Sequence, residues 1–152
     1  MSTRIRVQTE DFDQGHEYRQ LAQGTEAGAV VTFVGRVRDF AEGADGRLWL
    51  EHYAGMTEAV LADLAEQARQ RWPLIGITII HRIGELHPGD QIVLVGVSAG
   101  HRHTAFSACE FLMDFLKTRA PFWKREGDRW VDAKDSDQAA ADAWESPEPP
   151  AP

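Results

Sequence analysis

Ile92-Val-Leu-Val-Gly-Val-Ser-Ala99 is a nearly continuous apolar run, largely β-branched, and it reads as a strand. Upstream, Ile75 to Leu86 is β-branched as well. His87-Pro-Gly-Asp90 between the two runs carries turn residues, so together they predict a hairpin. Downstream, Gly100-His-Arg-His103 leads into a helix over 103–119, where Phe106, Cys109, Leu112, Met113, Phe115 and Leu116 leave few polar sides. Such a helix is buried, either in the core or in a subunit interface. Pro121 cannot continue it and disfavours helical geometry at Ala120, so Ala120-Pro-Phe-Trp123 leaves in an extended path.

Nearer the N-terminus, residues 3–8 alternate polar and apolar and predict an opening strand, followed by a polar stretch to about Gly28. Ala29 to Arg38 is a second β-branched run; alternation along a strand puts Arg36 and Arg38 on one face. Residues 39–46 read as a loop and 47–53 as the strand returning from it in a hairpin. Met56, Val60, Leu64, Ala68 and Trp72 recur every four positions, which predicts an amphipathic helix closed by Pro73. The order of elements is not a strict βαβα alternation. It predicts an α+β fold on a largely antiparallel sheet with two main helices. A single domain over 1–140 is expected, with 141–152 a Pro-rich acidic tail that is disordered.

The formal net charge is −8, from 16 Lys plus Arg against 24 Asp plus Glu, which argues against general binding to nucleic-acid backbones. Only three lysines occur, Lys117, Lys124 and Lys134, so the position of each is informative. The single cysteine, Cys109, excludes an intramolecular disulfide and a Cys-rich metal site and suits a reducing compartment. No export segment or apolar stretch of membrane-spanning length is visible, so a cytoplasmic protein is expected.

Chemistry concentrates in Lys117-Thr-Arg-Ala-Pro-Phe-Trp-Lys-Arg125, with four cations and two aromatic rings in nine residues. Cations so close repel one another, and unless all face bulk water they call for an anion. The plainer alternative is an exposed basic helix end that complements the helix dipole. His101-Arg-His103 at a helix start is a second candidate anion site, against the reading of ordinary surface histidines. His-x-His lacks further ligands to complete a metal shell. Cys109 sits at helical spacing with Phe106, Leu112 and Leu116 and reads as packing. Gly96-Val-Ser-Ala-Gly100 matches a nucleophile-elbow pattern, but no histidine follows His103, so the triad order cannot be completed.

Several runs, in order, resemble the large, catalytic subunit of molybdopterin synthase, the MoaE family: Gly28 to Arg38, Leu50 to Glu58, His81 to Leu86 with Pro88-Gly-Asp90, Val95 to Ala99, His101-Arg102, and Met113 to Glu126. The resemblance implies an α/β-hammerhead fold and a sulfurtransferase acting in molybdenum cofactor biosynthesis. It also implies a homodimer within a heterotetramer, each copy binding a small ubiquitin-like sulfur-carrier subunit (MoaD-like) whose Gly-Gly end is a thiocarboxylate. That tail delivers sulfur to cyclic pyranopterin monophosphate, making the dithiolene; no cofactor or metal is expected for this step. The resemblance implies a substrate pocket lined by Arg38, His101, Arg102, Lys117, Lys124 and Glu126; we expect Arg36, Val37 and Arg125 beside them to bind substrate as well, and Lys117 and Lys124 to be catalytic. Glu126 would orient Lys124 or relay a proton, and Arg129 is a further possible contact. From the residues alone, two other readings stay open: a non-catalytic dimeric module that binds a small protein's C-terminal tail, and a phosphate-ester enzyme.

Overall fold

The computed structural model describes residues 2–38, 47–126, 129–131 and 135–145. The loop expected over 39–46 and the last seven residues lie outside the described residues. Two four-stranded sheets organise the chain. The first has the order β1-β4-β6-β2, from β1 (Ser2–Gln8), β2 (Ala29–Arg36), β4 (Leu74–Arg82) and β6 (Gln91–Ala99). The second has the order β5-β3-β7-β8, from β3 (Leu48–His52), β5 (Gly84–Leu86), β7 (Phe122–Glu126) and β8 (Arg129–Val131).

The apolar run 92–99 lies in the inner strand β6, antiparallel to both β4 and β2. Val93, Val95, Val97 and Ala99 enter the main core beside Ile77 and Ile79 of β4. Helices α2 (Met56–Arg71) and α3 (Arg102–Arg119) supply the rest of that core, with Phe111, Leu112, Leu61 and Leu64 among its fully buried side chains. α1 (Gln14–Leu21) packs on β2, β4 and β6. A Cβ at Gly96 would fall 2.5 Å from a methyl of Leu21, and one at Gly76 would fall 2.8 Å from Ser98 Oγ and 3.2 Å from Leu21, so glycine at both lets α1 lie close on the sheet. Gly96 therefore serves packing, and Ser98 is fully buried in β6, which removes it as a nucleophile.

Several expectations are corrected. The N-terminal polar stretch contains α1, begun by the Asp13 side chain accepting from the His16 backbone N–H. β3 does not return alongside β2; it pairs with β5 and β7 in the other sheet. The segment 75–86 is two strands, β4 and β5, which join different sheets at Gly84 (φ 89°). β1 pairs with β4 in parallel, the exception among the described residues, whose other strand pairs are antiparallel. A further helix, α4 (Asp135–Ala143), crosses the boundary set at residue 140 and packs on α3, so residues 141–145 are folded rather than a disordered tail.

Candidate active site

Pro121 decides the site's position. α3 ends at Arg119, Ala120 is extended (φ −68°, ψ 131°), and the chain reverses into β7. Lys117 in the last turn of α3 is thereby set against a strand that carries Lys124. Alternation along β7 then divides the basic run. Phe122 and Lys124 line a cavity, whereas the Arg125 guanidinium lies 5.7 Å from the Trp49 ring centroid, across the β3–β7 pair. Arg119 is likewise drawn away, over the Phe115 ring at 4.1 Å. Of the four cations in the run, Lys117 and Lys124 reach the cavity.

That cavity is about 490 Å³ and sits where the two sheets and the end of α3 converge. Arg36 and Arg38 enter it from the end of β2, past a bulge between Gly35 and Arg36. Arg36 is steadied by donating from Nε and Nη2 to the Gly89 carbonyl, at 3.3 and 3.2 Å. Leu48, Leu50, Ile92, Leu116 and Phe122 make an apolar floor, continuous with a small second core of Val37, Leu48, Leu50 and Leu86. Val37, expected among the binding residues, belongs to that core: it is buried, and its backbone bonds to Asp90 and Gly89.

His101 and Arg102 are exposed at the opposite end of α3, about 22 Å along the helix from Lys117 at 1.5 Å per residue. They do not line this cavity. The side chains of Glu126 and Arg129 lie outside the described residues. Cys109 is buried, and burial pushes its thiol up to about 12, consistent with packing.

Two lining residues had no role in the sequence reading. Asp137 reaches the cavity from α4, and a helix there was not foreseen. His81 sits at the end of β4, 6% exposed. Its Nδ1 lies 2.8 Å from the Arg82 carbonyl oxygen, and its ring stacks on Phe122. Burial holds the imidazole down at about 4, with Lys117 and His52 adding to the effect against an opposing backbone hydrogen bond. Parity could have found it: Ile77, Ile79 and His81 share one strand face, and a histidine at a core-facing position is a signal.

A cavity with four cations around an apolar floor is built for an anion carrying a flat or apolar body. Arginine forks suit phosphate oxygens, and a lysine ammonium presents a compact point charge to an anion. Comparison with known proteins agrees with this chemistry. The family model described as "MoaE protein" matches residues 7–119. The molybdopterin synthase catalytic subunit of Vibrio cholerae is 57% identical over 150 residues, 95% of this chain and 100% of that protein. The Escherichia coli protein of the same name is 57% identical over 147 residues, 93% of this chain and 98% of its own. Among solved structures, molybdopterin cofactor biosynthesis protein E from Burkholderia multivorans superposes with a TM-score of 0.84 at 48% identity, over 97% of this chain and 100% of that one. With the fold, the cationic cavity and near full-length similarity in agreement, the chain belongs to the MoaE family, the catalytic subunits of molybdopterin synthase.

Proposed function

We propose that the chain transfers sulfur, in the cytoplasm, from the C-terminal thiocarboxylate of a small ubiquitin-like carrier ending in Gly-Gly to cyclic pyranopterin monophosphate. The product is the dithiolene of molybdopterin. The observation that carries this reading is the convergence of Arg36, Arg38, Lys117 and Lys124 on one cavity in a chain whose net charge is −8. Two anions, a phosphate and a thiocarboxylate, must meet there, and their repulsion is offset by fixed cations.

Arg36 and Arg38 hold the phosphate, for which a planar guanidinium is suited. Lys117 is the principal acid–base or nucleophilic group, and Lys124 polarises the carbonyl of the thiocarboxylate or the cyclic phosphate. Neither role asks for a metal or a resident cofactor, because the sulfur arrives on the carrier. His101 and Arg102 are too far along α3 to join the Lys117 of their own chain; the resemblance assigns them to the pocket, and on that reading a second copy of the chain supplies them.

The test is reconstitution: the chain, thiocarboxylated carrier and pyranopterin precursor are mixed and the product is read by mass. A dithiolene product with loss of carrier sulfur is expected. Carrier binding without sulfur loss would reduce the chain to a binding module, and product without carrier would point to a different enzyme.

A further inference from the structure

The sulfur-transfer reading leaves the histidine in the cavity wall without a role. His81 follows Ile77 and Ile79 on the face of β4 that packs into the main core, yet it lines the cavity together with Lys117. A carbonyl oxygen only accepts hydrogen bonds, so the 2.8 Å contact between Nδ1 and the Arg82 carbonyl requires Nδ1 to carry the proton and donate it. In the neutral ring Nε2 is then a bare lone pair. Phe122 covers a face of the imidazole at 3.7 Å and 18°, which fixes its plane.

The polar residues that line the cavity together with His81 are mostly donors. Arg36, Arg38, Lys117 and Lys124 cannot accept a hydrogen bond in their charged forms; Asp137, from α4, is the anionic exception, and His52 on β3 lies against Phe122 at 6.3 Å. Burial keeps the imidazole neutral at physiological pH, and the charge of Lys117 adds to that effect. A carboxylate in this place would orient a lysine but cancel the charge that the incoming anions need. A neutral imidazole orients it and leaves the charge intact.

We infer that His81 is a positioning residue for Lys117: its Nε2 lone pair accepts a hydrogen bond from the Lys117 ammonium and fixes the amine over the cavity. The consequence for turnover rests on the sulfur-transfer reading, but the hydrogen bond itself does not.

Two measurements separate these. In nitrogen-15 NMR of the full chain, the His81 ring should show a protonated Nδ1 and a bare, hydrogen-bonded Nε2. Lys117→Met should move the Nε2 resonance toward that of an unbonded lone pair, and an unmoved resonance overturns the pairing whether or not the enzyme turns over. In the reconstituted assay, His81→Phe keeps the stack on Phe122 but has no acceptor. It should lower kcat about tenfold, the scale of one hydrogen bond to a charged group, with KM for the precursor nearly unchanged. His81→Gln, which can place an amide oxygen near the Nε2 position, should recover most of that loss. A raised KM at normal kcat would instead make His81 a substrate contact, and a Gln variant no better than Phe, with both unfolding like the parent, would also sink the inference. If the unaltered chain makes no product, the sulfur-transfer reading fails, and the NMR result still decides the His81–Lys117 pair.

Discussion

The imidazole of His81 and the ring of Phe122 stack 3.7 Å apart at an interplanar angle of 18°, joining the end of β4 in one sheet to the start of β7 in the other. Both rings line the cavity that Lys117 and Lys124 also line. The stack also buries a titratable ring, and that has a measurable cost.

His81 is held at about 4 in the folded chain and returns to about 6.5 when unfolded. Between those values the unfolded state binds a proton that the folded state does not, so stability rises with pH across the window and is lost as pH falls through it. The slope from this one group is at most about 1.4 kcal/mol per pH unit. Urea denaturation at pH 7, 6 and 5 should show a steeper fall for the parent chain than for His81→Phe; identical pH dependence would refute the assignment.

Lys117 is solvent-exposed on α3, so Lys117→Ala should fold with near-parental stability while losing at least about a hundredfold in product formation, the scale of a lost acid–base group. Single-turnover assays with thiocarboxylated carrier read the effect. Near-normal turnover by the folded variant removes Lys117 from the mechanism.

Arg38→Ala should weaken binding of the precursor by about tenfold or more and leave carrier binding within about twofold, because a fork to phosphate is lost. Titration calorimetry with each ligand separately decides this. Equal losses for both would argue against a phosphate site at the end of β2.

If His101 and Arg102 act on the partner copy's cavity, Lys117→Ala and Arg102→Ala chains, each inactive alone, should regain activity on mixing. Random pairing rebuilds one intact site in half of the dimers, about a quarter of all sites. No recovery after subunit exchange would place Arg102 outside the shared site.

Trp144 ties α4 down. Its Nε1–H donates to Asp114 Oδ2 at 2.6 Å, and its ring meets Trp72 and Phe111 edge-on at 5.9 and 5.6 Å. Arg71 donates to its carbonyl at 3.2 Å and lies over its ring. Trp144→Ala should cost roughly 2–4 kcal/mol in chemical denaturation. A loss below about 0.5 kcal/mol would mean that α4 is not anchored through this ring.

The periodic segments were legible in the sequence because their patterns are local. The every-fourth-residue spacing from Met56 to Trp72 gave α2, and the β-branched runs gave β2, β4 and β6. Pro73 and Pro121 marked the ends of α2 and α3, since a ring without an N–H bars the helix whatever surrounds it. α1 and α4 escaped notice because each is short and mostly polar, and each is held by side chains distant in sequence, Leu21 on β4 and β6 and Trp144 on α2 and α3.

What the sequence determined by itself was the kind of chemistry: scarce lysines and clustered arginines in an acidic chain call for an anion wherever they meet. Which cations meet was decided only in three dimensions. Strand alternation turned Arg125 onto Trp49 while Lys124 faced the cavity, and the assignment of β3 to the second sheet placed Leu48 and Leu50 beneath them. The length of α3 carried His101 and Arg102 away from Lys117. Charge is a property of composition, but whether two charges share a site depends on pairings between residues far apart in the chain, which no local pattern encodes.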